Sequence, residues 1–377
     1  MWWLNLPTIV WCLFVFILGL MVGSFLNVLV ARLPFEKSIL WPGSRCFSCY
    51  QPIRIFDNLP IIGYLRLGGK CRSCGAAFSS RYLWVELGTG LAFLGLFIVE
   101  VLRPISPLPG VKFDPLLAMP SPMAIGVFVY HACLLSLLIA AAVVDAEHRI
   151  IPPLIPYTGA VVGIIGGVLM PWPWPNLPNV VGAIPPGMPW QLPEFHGKIA
   201  LGVQPWPFWG PPHAFAAAGT WKLGLINSLL GALAGTLVVR WVKWLFEVGF
   251  GKEALGLGDA DLLMMAGAFL GWQPAVLSLF VGAFAALFVF KLPSLIVGFV
   301  KGAESESELP FGPGLAVGVV ISWLAWPWLG KKLQFVYFDL PTMGVAIGIM
   351  SVGMLGAGLL LRRPEETAEA TAPAEKS

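Results

Sequence analysis

The sequence predicts an all-α fold, a polytopic transmembrane helical bundle that carries a small cysteine-bearing loop domain. Of its 377 residues, 57% are hydrophobic and only 11% are charged, whereas average soluble chains carry about 25% charged residues. Apolar runs long enough to cross a hydrocarbon core of about 30 Å recur along the chain. A basic segment at residues 32–82 interrupts these runs and contains four of the six cysteines.

The apolar runs predict eight or nine membrane helices, because backbone in lipid must satisfy its own hydrogen bonds and these run lengths suit helices. The expected spans are residues 9–31, 83–102, 123–144, 154–170, 222–246, 260–273, 275–299, 312–329 and 342–361. The run at 260–273 is short and contains glycine, so we expect a tilted helix or one buried among its neighbours. The first twelve residues lack Lys and Arg, and we expect no cleavable signal peptide.

The basic residues predict how the bundle is oriented. The segment 32–82 contains eight of the 23 Lys and Arg residues, and cytoplasmic loops carry such an excess. This segment is therefore expected in the cytoplasm and the N-terminus outside. Nine spans then place Arg362 and Arg363 in the cytoplasm, as the rule expects. Lys331 and Lys332 fall on the external side, which is a mild exception to the rule. Because topology accounts for the basic charge, we expect contact with membrane lipid and no nucleic-acid partner.

Four regions follow from this pattern: a first span (1–31), a cytoplasmic loop domain (32–82), the remaining bundle (83–361) and a tail (362–377) that we expect to be disordered. Within the bundle, residues 171–220 hold 12 of the 34 prolines and five of the 17 tryptophans. Proline at that density prevents regular helix, and tryptophan favours the lipid headgroup region. We expect an external spacer at the lipid surface there; a surface that docks a partner is the alternative.

The four cysteines of the loop domain form two CxxC pairs with 21 residues between them. Thiolates are the ligands of structural Zn²⁺ sites, and two such pairs can close a tetrahedral site. Cytoplasmic thiols stay reduced, which argues against disulfides. We therefore expect structural zinc, with redox-active dithiols as the alternative. The expected ligands are Cys46, Cys49, Cys71 and Cys74.

Two aspartates are the candidate catalytic groups. Asp145 ends the third predicted span and Asp259 opens the sixth, both on the expected cytoplasmic side. Peptide hydrolysis by an acid pair needs one ionised carboxylate and one protonated carboxyl, and close approach favours this state because both cannot ionise cheaply. Gly256 and Gly258 leave room beside Asp259 for a substrate strand. The sequence thus predicts an aspartyl-protease pair.

The residue chemistry leaves two alternatives open. Acids at helix ends also reach water, and Asp259 and Asp261 suit a helix N-terminus, where carboxylates complement the dipole. Alternatively, these acids together with Asp145, Glu147 and His148 form an oxygen-rich site for Mg²⁺ or Mn²⁺.

Two polar residues inside predicted spans are further candidates. Asn27 lies in the first span, where it is expected either to hydrogen-bond across a helix interface or to contact substrate. Glu86 lies early in the second span, and an ionisable group at that depth is a functional candidate by default.

The chain resembles the prepilin peptidases, the type IV leader peptidases of the GxGD aspartyl class. The resemblance covers most of residues 15–325. The motifs occur in family order: Gly23-Ser24-Phe25-Leu26-Asn27 with Arg32-Leu33-Pro34, Asp57-Asn58-Leu59-Pro60 between the CxxC pairs, Arg81-Tyr82 before Glu86, Asp145 with Ile151-Pro152, Gly256-Leu257-Gly258-Asp259, and Pro310-Phe311-Gly312-Pro313.

The resemblance implies cleavage of the short charged leader of prepilins and pseudopilins at the cytoplasmic face of the bacterial inner membrane. It also implies N-methylation of the new N-terminus with S-adenosylmethionine as methyl donor. Two positions depart from the family pattern: Asp261 stands where Lys is usual, and Pro153 where Asn or Asp is common. The rival functions are a peptidase without methyltransferase activity and a transporter or scaffold of a secretion system.

Overall fold

The structure, a computed structural model, describes residues 6–104, 113–114, 119–170, 220–251, 255–293, 311–338 and 340–361. The Pro/Trp-rich insertion up to residue 219, the end of the predicted span 275–299, Pro310 and the tail 362–377 lie outside these residues.

Helices dominate the described residues, and each predicted span falls on one of them. In chain order they are α1 (Leu6–Arg32), α2 (Ile62–Leu67), α3 (Arg81–Phe97), α4 (Pro122–His148), α5 (Leu154–Leu169), α6 (Trp221–Phe250), α7 (Leu257–Leu270), α8 (Trp272–Ala285), α9 (Phe311–Phe338) and α10 (Leu340–Leu361). π-Helical turns continue α3 through Ile98–Leu102 and α8 through Ala286–Lys291. Two short antiparallel strands, β1 (Phe113–Asp114) and β2 (Met119–Pro120), precede α4.

The predicted all-α membrane bundle is confirmed, but the count of eight or nine spans is not. Within the described residues, six helical segments are long and apolar enough to cross a membrane: Leu6–Phe35, Arg81–Leu102, Pro122–His148, Trp221–Phe250, Trp272–Val289 and Pro341–Leu360. The apolar segments Leu154–Leu169 and Phe311–Trp326 are shorter.

Helix α7 is the buried element of the bundle. Ten of its 14 residues are buried, and it packs against both α5 and α6. Glycine permits the close approach to α6, because a Cβ at Gly231 would lie 2.8 Å from the Cα of Gly271 and would overlap the carbonyl of Gly267. This packing matches the expectation for the short run at 260–273, and it places the N-terminus of α7 beside the ends of α4 and α5.

Helices α1 and α3 form the other close pair. A Cβ at Gly19 would lie 2.8 Å from the Cα of Gly90, and one at Gly23 would lie 2.7 Å from the Cα of Glu86. Only glycine allows two backbones to approach so closely. The contact brings polar side chains near the end of α1 against the start of α3.

Residues 33–80, the cysteine lobe, connect α1 to α3. Arg32 at the end of α1 ties down the first part of the lobe, donating hydrogen bonds to the carbonyls of Ser38 (2.9 Å) and Pro42 (2.6 Å). Two short turns follow, Leu33–Phe35 at the start and Ile55–Asp57 before α2. The lobe therefore lies against the ends of both helices.

Candidate active site

Asp145 lies in the last turn of α4 and is only 7% exposed. Its carboxylate Oδ2 accepts a hydrogen bond from the backbone N–H of Gly312, at 2.8 Å. Gly312 is the second residue of α9, and the first N–H groups of a helix have no partner within the helix. The first turn of α9 therefore supplies a donor to the candidate catalytic acid.

Gly312 is required at this position for reasons of space. A Cβ on Gly312 would lie 2.6 Å from Oδ2 and 2.9 Å from Cγ of Asp145. Any side chain would push the carboxyl group away from its hydrogen-bond donor. Gly312 lies within the motif at residues 310–313, but its contact with Asp145 depends on long-range packing and was not predicted.

Asp259 is the third residue of α7 and is also 7% exposed. Its Oδ2 accepts a hydrogen bond from the N–H of Gly256, the N-cap residue, at 3.1 Å. A Cβ at Gly256 would lie 3.5 Å from this carboxyl oxygen and 3.9 Å from the backbone nitrogen of Gly258, both ordinary contacts, whereas one at Gly258 would lie 3.0 Å from Ile151 Cβ. Gly258 thus allows α7 to pack on the α4–α5 connection, and space remains around Gly256.

The two aspartates come from helices more than 100 residues apart in sequence and are close enough to interact electrostatically. Each is fixed by a backbone N–H through its Oδ2 atom. A buried carboxyl pair of this kind favours a state in which one member is ionised and the other keeps its proton. The arrangement provides a base and an acid for activating water against a carbonyl group.

The end of α4 is attached to the cysteine lobe and to α3. Arg81 at the start of α3 forms an ion pair with Glu147, and the His148 ring makes an edge contact with Phe35, centroids 5.4 Å apart. Among the described residues, only the four cysteines form a cluster of three or more potential metal ligands. The alternative of a Mg²⁺ or Mn²⁺ site around Asp145 is therefore not supported.

Asp261 lies in the first turns of α7 and is half-buried. The Asp261 carboxyl interacts electrostatically with Arg240 of α6. Arg240 also donates a hydrogen bond from Nε to the Thr236 hydroxyl, at 3.1 Å. The negative charge that replaces the lysine usual in the family thus lies near an arginine from the neighbouring helix.

The four cysteines meet as predicted, and their geometry suits zinc. A tetrahedral site with Zn–S bonds of about 2.3 Å places its sulfur atoms about 3.8 Å apart. The Sγ atoms of Cys46 and Cys74 are 3.8 Å apart and those of Cys49 and Cys71 are 3.9 Å apart. All four ligand atoms lie within 4.8 Å of one another. The set can hold a structural zinc ion, with no ligand position left for water.

The two CxxC turns repeat one another in their backbone geometry. Each has a backbone N–H two residues after its first cysteine that donates to that sulfur at 3.4 Å, from Ser48 in one turn and Ser73 in the other. The residue after each second cysteine, Tyr50 or Gly75, has a positive φ. In the second turn, hydrogen bonds from the N–H groups of Cys74 and Ser73 lower the pKa of Cys71 to about 6, which favours the thiolate that binds metal.

An ion pair supports the lobe beside the metal site. The guanidinium of Arg72 donates two hydrogen bonds to Asp57, at 2.7 and 2.5 Å, and this pairing holds the pKa of the Asp57 carboxyl below its usual value. The contact connects the second CxxC turn to the Ile55–Asp57 turn.

Asn27 and Glu86 do not lie with the aspartate pair; they line a cavity of about 650 Å³ between α1, α3 and the cysteine lobe. Neither Asp145 nor Asp259 is among its lining residues. Glu86 is 8% exposed and Asn27 is 2% exposed. The wall of the cavity includes Arg32, Tyr64, Phe78 and Tyr82.

Two sequence families match this chain. The Bacterial Peptidase A24 N-terminal domain matches residues 17–99, and the Type IV leader peptidase family matches residues 208–290. Asn27, Glu86 and the four cysteines fall in the first segment, Asp259 falls in the second, and Asp145 lies between the two.

Curated relatives extend the similarity over most of the chain, each bearing the name Prepilin leader peptidase/N-methyltransferase. The relative from Klebsiella pneumoniae is 32% identical over 269 residues, covering 70% of this chain and 86% of its own length. The relative from Pseudomonas aeruginosa is 28% identical over 354 residues, covering 86% and 92%. The relative from Dickeya chrysanthemi is 28% identical over 332 residues, covering 82% and 90%. No solved structure matches the chain. The chain belongs to the type IV leader peptidase family.

Proposed function

We propose that this chain is a membrane aspartyl endopeptidase that cleaves the leader of type IV prepilins or pseudopilins, with Asp145 and Asp259 as its catalytic residues. The observation that carries the proposal is the buried pair of carboxyl groups, each fixed by a backbone N–H at a helix N-terminus. The names of the relatives and the match to the Type IV leader peptidase family support the substrate class.

In the proposed mechanism, the ionised aspartate accepts a proton from water while the protonated one donates to the scissile carbonyl oxygen. The water oxygen bonds to the carbonyl carbon, and the carbon–nitrogen bond then breaks as the leaving amine takes up a proton. The Gly256 and Gly312 N–H groups hold the two carboxyls in place throughout. Such fixed positioning is what gives an acid pair its rate advantage.

We place the cut on the cytoplasmic side of the inner membrane. The basic charge of the cysteine lobe supports this orientation through the positive-inside rule. His148 contacts Phe35 of the lobe, and Glu147 pairs with Arg81, the residue directly after the lobe. Asp145 at the end of α4 therefore belongs to the same side of the membrane as the lobe.

We also propose that the chain N-methylates the new N-terminus with S-adenosylmethionine, which supplies an electrophilic methyl group on a sulfonium. The relatives' name includes this activity. The cavity beside the cysteine lobe supports it, because its volume of about 650 Å³ lies in the usual range for small-molecule sites. Structural zinc, held by the four cysteines, would stabilise the cavity wall that includes Cys46.

Mass analysis of the substrate N-terminus tests both activities at once. The purified chain in lipid nanodiscs is incubated with a prepilin and S-adenosylmethionine. The proposal predicts a leaderless product that carries one added methyl group. A leaderless product without the methyl group supports a peptidase alone, and an uncut prepilin would favour the transporter or scaffold alternative.

A further inference from the structure

We propose that the cavity binds the α-amino group of the cleaved substrate, with Glu86 and Asn27 as its hydrogen-bond acceptors. This inference rests on the proposed methyl transfer and specifies which side chains receive the amine. It gives separate functions to two polar residues of the membrane helices that the aspartate pair does not use.

The two side chains are held in one patch by the close contact of α1 and α3. A Cβ at Gly23 would lie 2.7 Å from the Cα of Glu86, so the residues that follow Gly23 on α1 lie directly against the start of α3. Ser24 of α1 lines the same cavity as Glu86. The N–H of Ile61, in the cysteine lobe, donates to Glu86 Oε2 at 2.7 Å. The lobe thus orients this carboxyl where α1 and α3 meet.

Asn27 contributes an acceptor that the protein leaves unused. Its amide Nδ2 donates to the carbonyl of Tyr82 at 3.1 Å, which fixes the side chain. Its Oδ1 is buried and has no hydrogen-bond partner among the described residues. A buried acceptor of this kind needs a donor to offset its lost hydration. Because Asn27 lines the cavity, a ligand can supply that donor.

A carboxylate and an amide oxygen together select a cationic donor. A protonated amine carries only donors, so it matches this pair in charge and in hydrogen-bonding pattern. The new N-terminus produced by leader cleavage is such a group. Tyr64 and Phe78 line the same cavity, which we propose also receives the methyl donor.

The chemistry gives Glu86 a second function as the base. The ammonium passes one proton to the Glu86 carboxylate, and the freed nitrogen lone pair forms a bond to the methyl carbon. The carbon–sulfur bond of the sulfonium donor breaks at the same time, and its electron pair stays on sulfur as a neutral thioether. The products are a methylammonium, which carries the positive charge that was on sulfur, and a protonated Glu86, which then releases its proton.

Peptide binding without any methyl donor tests the amine site directly. Two synthetic peptides with the mature N-terminal sequence of a pilin are compared, one with a free amine and one with an acetylated N-terminus, on the intact protein in nanodiscs. We expect the native protein to bind the free-amine peptide about tenfold or more tightly than the acetylated peptide, because only the free amine can form a buried ion pair with Glu86. Glu86→Gln and Asn27→Leu should remove most of this preference, whereas the matched exposed change Glu36→Gln should keep it.

Enzymatic rates on the same samples separate this inference from the proposed function. Glu86→Gln should lower methyl transfer to the free-amine peptide about 100-fold while cleavage of uncut prepilin and bound zinc stay at native levels, which also shows that the variant is folded. If both variants keep the native preference for the free-amine peptide and the native rate of methyl transfer, the inference is wrong but the proposed function is not affected. If the native protein cleaves but transfers no methyl group, both the methylating part of the proposed function and this inference are wrong.

Discussion

At the scale of single residues, the contact between Gly312 and Asp145 controls the geometry of the acid pair. The hydrogen bond joins two residues 167 positions apart, and only glycine leaves space for the carboxyl. The comparable contact at Asp259 is local, since Gly256 is three residues away. Asp145 therefore depends on how α9 packs against α4, and Asp259 depends on the cap of its own helix.

Gly312→Ala should abolish most cleavage without removing an acid. The added Cβ would lie 2.6 Å from Asp145 Oδ2, and a displacement of about 1 Å at a catalytic group can cost about 100-fold in rate. The measurement is the rate of prepilin cleavage in nanodiscs. Gly88→Ala is the matched control, because a Cβ there meets nothing within 4 Å. Native cleavage by Gly312→Ala would show that Asp145 does not need this geometry.

The ion pair of Asp57 and Arg72 predicts a pH-dependent contribution to the stability of the cysteine lobe. Arg72 lowers the pKa of Asp57 in the folded state, so the stabilisation is fully present above the unfolded pKa of about 3.9 and is lost as pH falls through the folded pKa. We expect Asp57→Asn to weaken hydrogen-exchange protection of the lobe at neutral pH. The difference from native protein should shrink below about pH 4; an undiminished difference there would contradict the ion-pair account.

At the scale of elements, hydropathy located the helices but not their full length or their partners. The third span was expected at residues 123–144, and α4 runs over Pro122–His148. Apolar composition marks the part of a helix that lies in lipid, whereas the final turn, which contains Asp145, extends beyond it. The spacing of the cysteines was enough to predict their cluster. The order of the motifs identified the two aspartates, whose catalytic function stays a prediction.

Other features of the site could not be predicted from one sequence. The need for glycine at position 312 depends on how α4 and α9 pack together. The cavity depends on how closely α1 approaches α3 and on where the lobe folds back, so Asn27 and Glu86 could be identified as polar candidates but not assigned to a shared pocket. Long-range packing of this kind leaves no periodic signal in a single sequence.

The cysteine lobe should hold one zinc ion per chain and depend on it for its fold. Structural zinc sites contribute folding energy directly, and the lobe contains only one short helix, α2, besides its turns. We expect Cys71→Ser to release the metal and to open the lobe to trypsin at its basic residues. Metal content by mass spectrometry and limited proteolysis measure this outcome. Cys12→Ser, in α1, should leave both unchanged, and retained zinc in Cys71→Ser would contradict a four-cysteine site.

At the scale of the whole molecule, the fold separates the two sites that we propose act in sequence on one substrate. The acid pair lies where α4, α7 and α9 meet, and the cavity lies between α1, α3 and the cysteine lobe. The Arg81–Glu147 ion pair joins the two parts. A leader cut at the first site would leave a free amine that the second site is suited to bind.

The orientation of the molecule predicts which face of the membrane exposes the lobe. From the positive-inside rule we propose that the lobe and both sites face the cytoplasm. Trypsin added to sealed inverted membrane vesicles should therefore cut within the lobe, and trypsin added to right-side-out vesicles should not. Cutting only in right-side-out vesicles would reverse the topology and would contradict cleavage from the cytoplasm.

The most direct test of the central claim is prepilin cleavage by Asp145→Asn and Asp259→Asn, each measured beside Glu247→Gln as a matched change from acid to amide. The account predicts that each aspartate variant loses about 1,000-fold or more in cleavage rate. The two carboxyl groups act as one catalytic unit, so removing either should cost about as much as removing both. Both variants should still methylate a peptide that lacks its leader, and Glu247→Gln should cleave at the native rate. Full cleavage by either aspartate variant would contradict the pair.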